Sequence, residues 1–203
     1  YDLFRRLNLS ADSCASIRLS LTLLSVAFLN CSEFTISFNA FCNGGLDKQF
    51  LISWLFNEDN VLGDYLGNID SALDEYVEKN NRQTNFQNYI SSYLQSLSDA
   101  FSLFGKYAFR KVYTEYKKSR RNQVNKLLMM TICVLLAKYR DSYKNGIEQK
   151  KDLTPALARL IKNDPDFFNA ITWSTNSKAN MKYVFEKIKK DLFDYNLIEN
   201  EQS

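Results

Sequence analysis

The chain has 203 residues, 45% hydrophobic content and a net charge of +3, so it can bury one sizeable core. Its two prolines and six glycines are too few for the turns of a many-stranded β-sandwich. The lack of histidine excludes Ser-His-Asp and Cys-His nucleophiles, HNH-type nucleases and almost every catalytic zinc site. We therefore expect an all-α protein that carries no cofactor and performs no histidine-dependent or metal-dependent chemistry of its own.

The first predicted helix covers residues 12–30, where apolar side chains recur at helical spacing. Its apolar run, residues 19–31, has 13 residues, whereas a membrane-spanning helix needs about 20. Three arginines before this run also fit a signal peptide, but the residues preceding Cys31 lack the small side chains of a cleavage site. A buried helix is the better interpretation, and we expect no membrane partner.

Three further helices are predicted in the middle of the chain. Residues 61–79 carry one apolar stripe, and residues 84–104 give the clearest helical repeat, which Gly105 is expected to end. Residues 124–143 are apolar on nearly every face at their centre, which predicts one central, buried helix. Gly146 is expected to end that helix.

The last third of the sequence contains clear helix-start signals. Thr154-Pro155 and Asp164-Pro165 each place a capping residue before a proline at the first helical position. Ser177 is expected to cap the final helix, which has one apolar face. With no low-complexity linker and no internal repeat, residues 1–203 are predicted to form one multi-helix domain.

Four cysteines occur, and no two of them form a C-x-x-C pair; they are Cys14, Cys31, Cys42 and Cys133. Cys133 lies in a very apolar run, where a reduced core thiol is expected. This cysteine usage indicates a cytoplasmic protein.

Charge is distributed unevenly along the chain. Residues 58–78 contain seven acids and no lysine or arginine, whereas residues 106–126, hereafter the basic segment, contain eight bases and one acid. Such asymmetry fits an electrostatic surface for an anionic partner. It equally fits two solvated helix faces that attract each other.

The basic segment is the best candidate for function. Its candidate nucleic-acid-binding residues are Arg110, Lys111, Lys117, Lys118, Arg120 and Arg121, and Tyr107, Phe109, Tyr113 and Tyr116 are interleaved with them. Bases neutralise phosphates and aromatic rings stack on unpaired nucleobases. The alternative is an ordinary helix with its bases outside and its aromatic rings in the core.

The first residues form a second basic cluster. Arg5 and Arg6, followed by Asn8, are placed to reach a phosphate or a carboxylate. The competing interpretation is a positively charged entry to the first helix.

Several stretches of the sequence, taken in chain order, resemble one known family. They are residues 2–8 with 16–18, residues 103–111 with 124–128, and residues 164–172 with Thr175 and Lys178. The first is similar to the F-x-R-L-N … E-I-R segment of the ParB/sulfiredoxin-like family typified by the GmrS half of GmrSD restriction systems (domain of unknown function 262). The others are similar to the helical region of that family.

The resemblance implies a larger parent protein. In such proteins a ParB-like half with an Asp-Gly-Gln-Gln-Arg motif binds and hydrolyses nucleotide, many members add an HNH-type nuclease, and they defend against phage or modified DNA. This chain has neither that motif nor a histidine, so no catalytic residue is carried over. Residues 1–10 would close the ParB-like half, with Arg5, Arg6 and Asn8 at the junction or near the nucleotide. Nucleotide and divalent metal would belong to the parent protein.

Two hypotheses of function follow. In the first, the chain is the helical support of a nucleotide-dependent defence protein, contacts DNA through the basic segment, and is not catalytic alone. In the second, it is a protein-interaction or oligomerisation scaffold with no nucleic-acid role. A free-standing enzyme is the third and weakest interpretation.

Overall fold

The computed structural model describes residues 86–113 and 123–198, together with Tyr65, Asn68, Ser71, Ala72 and Glu75. Within the two continuous ranges, six α-helices have these bounds: α1 Phe86–Phe104, α2 Lys126–Lys138, α3 Arg140–Glu148, α4 Thr154–Asn163, α5 Pro165–Ala170 and α6 Lys178–Lys187. A 3-10 turn, Gly105–Tyr107, follows α1, and a π-helix, Ile188–Ile198, follows α6. No strand forms among the described residues, and the predicted all-α class is confirmed.

Part of what the sequence predicts lies outside the described residues. This applies to the helix over residues 12–30, to Cys14, Cys31 and Cys42, and to Arg5, Arg6 and Asn8. Within the described part, no helix combines the length and the apolar character that a membrane crossing needs.

The core is built around α2. All ten residues 127–136 are buried, because the helix is apolar on nearly every face and is packed by α1 and α6. Cys133 is a buried free thiol, as predicted. Burial raises the pKa of this thiol to about 12, although a hydrogen bond with Ser96 acts to lower it. The thiol therefore stays protonated at neutral pH.

The prediction of one continuous helix over residues 124–143 is wrong. The backbone breaks at Tyr139 (φ −114°, ψ 22°), and α3 begins at Arg140. The buried apolar run ends before the break, and Nε of Arg140 lies 2.7 Å from Oδ2 of Asp99 on α1. This ion pair joins the start of α3 to α1, a contact that the apolar pattern alone does not encode.

Gly146 does not end a helix, because it lies inside α3. A Cβ at this position would overlap the Leu197 side chain of the π-helix, so glycine permits the close approach of the two elements. The Tyr143 hydroxyl donates a 2.8 Å hydrogen bond to Oδ1 of Asp194 across the same contact. Gly105 does end α1, with φ at 51°, as predicted.

Two of the three predicted helix caps are confirmed. Asp164 Oδ1 accepts a hydrogen bond from the Phe167 amide at 2.8 Å, which starts α5. Ser177 Oγ accepts one from the Asn180 amide at 3.2 Å, which starts α6.

The capping role predicted for Thr154 is wrong. Its hydroxyl donates to the carbonyl oxygen of Phe104 at 3.3 Å, and its amide donates to Oδ1 of Asp152 at 2.9 Å. Thr154 is buried against the end of α1, and its hydroxyl bonds to a carbonyl of the last turn of that helix.

The final helix changes its winding after Lys187. In the π-helix the buried residues recur four to five positions apart, at Ile188, Leu192, Phe193 and Leu197. Since a π-helix bonds residue i to residue i+5, this wider repeat keeps one face toward the core. The Phe193 ring packs there between Tyr143, at 5.2 Å between centroids, and Phe104, at 6.5 Å.

The predicted helix over residues 61–79 is wrong at its beginning. Tyr65 and Asn68 are not helical, whereas Ser71, Ala72 and Glu75 are. The Asn68 side chain accepts a 3.3 Å hydrogen bond from the Ser71 amide. Asn68 is therefore a cap, and such residues favour helix starts over helix interiors.

Candidate nucleic-acid interface

The two ends of the basic segment lie side by side. Arg110 and Val124 form an isolated antiparallel bridge, and the Asn125 amide donates a 2.7 Å hydrogen bond to the carbonyl oxygen of Phe109. The two described ends of the segment are thus held together next to the helical core. Lys117, Lys118, Arg120 and Arg121 belong to the connection between these ends and lie outside the described residues.

The path from α1 to the bridge is fixed by a strained residue. Phe109 has φ at 61°, an uncommon conformation for a residue with a Cβ, which costs about 1–3 kcal/mol. Its ring is buried and meets the Phe101 ring edge-to-face, with 5.7 Å between centroids. Packing holds the turn in place, and Phe109 is a core residue with no exposed stacking face.

The first two candidate bases differ in environment. Arg110 is 8% exposed, so it offers little surface to a partner. Lys111 is half-buried, with Nζ 5.9 Å from the centre of the Phe168 ring on α5. Tyr113 is 44% exposed and is the last described residue before the connection. A DNA contact by these bases stays a prediction.

Asn125 connects the C-terminal end of the basic segment to the rest of the molecule. Its Oδ1 accepts from the Leu128 amide at 3.0 Å and so caps α2. Its Nδ2 donates to the carbonyl oxygen of Ile171 at 2.6 Å. One side chain therefore fixes the start of α2 against residues 171–177, hereafter the Trp173 loop, which joins α5 to α6.

The Trp173 loop displays an exposed indole on a firmly held backbone. Trp173 is 68% exposed, the largest value among the exposed large hydrophobic residues of the described part. Its amide donates to the carbonyl oxygen of Asn169 at 2.8 Å, and Asn180 Nδ2 donates to the carbonyl oxygens of Trp173 and Ser174 at 3.0 and 3.2 Å. The Tyr65 hydroxyl donates to the carbonyl oxygen of Asn176 at 2.7 Å.

Sequence reasoning did not single out Trp173. The available signal was its position in a polar stretch between the Asp164-Pro165 helix start and the Ser177 cap. A tryptophan in such a connection does not belong to the apolar face of a helix, so helix packing does not bury it. The link from this loop to the basic segment, through Asn125, depends on the tertiary fold.

A separate polar cluster joins α5, α6 and the π-helix. Asp164 accepts from the Tyr183 hydroxyl, with both oxygens at 3.0 Å, and from Lys187 Nζ at 2.9 Å. Burial acts to raise the pKa of Asp164, but hydrogen bonds from the Phe167 amide, Lys187 and Tyr183 outweigh it, so the pKa is lowered. Hydrogen bonds to Asp164 and Asp191 raise the pKa of Lys187.

These shifts bear on what the described residues can do chemically. A general acid or base works best with a pKa near the working pH. Burial raises the pKa of Tyr183 and of Cys133, and the pKa of Lys187 also rises while that of Asp164 falls. Each of these shifts moves the group away from neutrality, as expected of structural contacts.

The lowered pKa of Asp164 predicts an acid-dependent stability contribution. Because the pKa of Asp164 is lower in the folded protein than the unfolded value of about 3.8, its ionised carboxylate stabilises the fold at pH values above the unfolded pKa. This contribution disappears as the pH falls through the folded pKa. Asp164→Asn keeps an N-cap but removes the charge. We expect the stability gap between wild type and this variant to be constant from pH 7 to 5 and to shrink below about pH 4. Urea unfolding across this range measures it, and a gap that stays constant down to about pH 2 contradicts the prediction.

No group of three or more His, Cys, Asp or Glu side chains that could hold a metal ion occurs among the residues that the structure describes. Comparison with protein-family models, with curated proteins and with solved structures gave no match to this chain.

Proposed function

We propose that this chain is a helical nucleic-acid-binding module whose basic segment neutralises DNA phosphates. The observation that carries the proposal is the anchoring of the segment's two ends by the Arg110–Val124 bridge and by Asn125. Eight bases in 21 residues, whose two ends are anchored side by side on the helical core, form a concentrated positive charge. Such a charge binds the DNA backbone of any sequence.

Binding is a better proposal than catalysis for this part of the chain. In the described part of the chain, Asp164, Tyr183 and Lys187 lie in contacts between helices, and their pKa values shift away from neutrality. A catalytic acid or base needs the opposite adjustment.

The proposal extends to a parent protein of the GmrS type. The support is the order of the resembling motifs along the sequence, from residues 2–8 to residues 164–172. In this proposal Arg5, Arg6 and Asn8 lie at the junction with a ParB-like half, and that half binds the nucleotide and the divalent metal. The helical module then supports the catalytic half and holds DNA near it.

The second candidate function is a protein-interaction or oligomerisation scaffold. It is favoured by Tyr195 and Ile198, which are 60% and 42% exposed on the π-helix. A mass that rises with protein concentration, in a chain that binds no DNA, would favour the scaffold.

The test is a double substitution in the basic segment, Lys117→Ala with Lys118→Ala. If each lysine neutralises one phosphate, duplex affinity falls on the order of tenfold at about 50 mM salt for every sequence. The slope of log K against log salt becomes shallower by about 1.8. Fluorescence anisotropy of labelled duplexes, with salt titrations, measures both quantities.

The matched control is Lys144→Ala with Lys190→Ala, which removes the same charge from exposed positions on α3 and the π-helix. The control should keep most of the wild-type affinity. Equal losses in both double variants would indicate a net-charge effect and no localised interface. Unchanged binding after the Lys117 and Lys118 substitutions contradicts the DNA role of the basic segment.

A further inference from the structure

We infer that the π-helix is a two-state element, which keeps its π winding while α3 accepts Leu197 and changes to an α winding when α3 does not. The change exchanges the side chains that the core holds, namely Phe193 and Leu197 in the observed winding and Tyr195 in the other. The inference is independent of DNA binding, because it uses no residue of the basic segment. It bears on the scaffold function, since Tyr195 is offered to a partner in one winding only.

The first support is that the backbone of this segment does not itself select the π winding. π-Helices are rare and occur mostly as single-turn bulges inside α-helices. This one continues for 11 residues after α6. It contains neither proline nor glycine, so no residue in it opposes an α winding. Contacts of its side chains with the rest of the molecule therefore hold the observed winding.

The second support is an apolar repeat that fits an α-helix. In an α-helix, residues three, four and seven positions apart share one face. Five residues of α6 and the π-helix follow this spacing, namely Met181, Val184, Ile188, Leu192 and Tyr195. The first four are buried, whereas Tyr195 is 60% exposed, midway between the buried positions 193 and 197 of the wider repeat. An α winding that continues from α6 would turn the Tyr195 ring toward the core.

The same α winding would remove two other side chains from the core. At 3.6 residues per turn, Leu197 lies about 2.5 turns after Ile188, on the opposite side of the helix, and Phe193 lies about 1.4 turns after it. In the observed winding Phe193 is 0% and Leu197 is 5% exposed. Burial of these two large apolar side chains outweighs burial of the one tyrosine ring, which explains why the π winding is the observed state.

The contacts that favour the π winding are made with α3. Leu197 packs where Gly146 has no Cβ, and an added Cβ would overlap Cδ2 of Leu197. The Tyr143 hydroxyl donates a 2.8 Å hydrogen bond to Oδ1 of Asp194. Both contacts involve the second half of the π-helix, which an α winding would rotate about the helix axis. A side chain at position 146 therefore opposes the π winding without removing any group that the α winding uses.

The test places a reporter at position 195 of the full chain. Trp54→Phe, Trp173→Phe and Tyr195→Trp together leave an indole at that position alone. In this reference protein the indole should emit as an exposed group and be quenched efficiently by acrylamide. Adding Gly146→Val should shift the emission to the blue and lower the acrylamide quenching severalfold, because the α winding buries the ring. Circular dichroism should show that the helix content is retained.

Three variants of the reporter protein control the result. Gly146→Val with Leu197→Ala removes the overlap and should return the indole to solvent. Lys144→Val places the same branched side chain at an exposed position of α3 and should leave the indole exposed. Gly146→Ala adds only the overlapping Cβ and favours the helix, so it replaces the valine variant if that variant does not fold, with a smaller shift in the same direction.

Two outcomes overturn the inference. An indole that stays exposed in a fully helical Gly146 variant means that Leu197 moves aside and the winding does not change. An exposed indole together with a loss of helix content means that the segment unfolds when its contact with α3 is disturbed. Neither outcome alters the expected DNA affinities of the Lys117 and Lys118 substitutions, so the proposed function is judged separately.

Discussion

Phe193→Ala should lower the free energy of unfolding by about 4 kcal/mol, which is the typical loss for a fully buried aromatic residue. The Phe193 side chain is fully buried, and its ring contacts Tyr143 of α3 and Phe104 of α1. Truncation leaves a cavity where three elements meet, because the π-helix is also held at Gly146 by close approach. Chemical denaturation followed by circular dichroism measures the loss, and the melting temperature should fall by roughly 10 °C.

Two further variants define the origin of that loss. Phe193→Leu keeps most of the volume and should lose less than about 1.5 kcal/mol. Phe185→Ala truncates a phenylalanine that is only partly buried and should lose less than Phe193→Ala. If Phe193→Ala and Phe185→Ala are equally stable, Phe193 does not hold the π-helix against α1 and α3.

Helices with a strong periodic pattern could be predicted from the sequence, and their interruptions could not. The buried helix α2 follows from ten consecutive residues that are apolar with one exception, and α5 and α6 follow from Asp164 and Ser177. The break at Tyr139 is accompanied by an ion pair between α1 and α3, which no local pattern reports. The same holds for Thr154, whose hydroxyl bonds to a carbonyl 50 residues away.

The candidate site was predictable only as a run of charge. Eight bases between residues 106 and 126 are visible in the sequence. The burial of Arg110 and the inward turn of Phe109 depend on a bridge and a positive φ that arise from the fold. The Asn125–Ile171 hydrogen bond, which links positions 46 residues apart, ties the end of the basic segment to the Trp173 loop.

Arg140→Met should lower the free energy of unfolding by about 3 kcal/mol, because it leaves a buried carboxylate without its cation. Asp99 is 3% exposed, and Arg140 donates to it from Nε at 2.7 Å. The hydrogen bond to Asp99 raises the pKa of Arg140, although burial acts to lower it. The guanidinium therefore stays charged at any working pH. Methionine keeps the packing of the stem, and among the described residues Gln95 then remains to donate to Asp99, at 2.9 Å. Denaturant unfolding at neutral pH measures the loss.

The double variant Arg140→Met with Asp99→Asn separates the ion pair from packing. An uncharged amide needs no cation, so the double variant should recover more than half of the stability that Arg140→Met loses. Arg140→Lys keeps the charge but loses the two-donor geometry and should lie between wild type and Arg140→Met. A loss below about 1 kcal/mol for Arg140→Met would mean that water solvates Asp99 as well as the guanidinium does. The break at Tyr139 would then be set by the packing of α3 on the π-helix, and Gly146→Val would become the substitution that displaces α3.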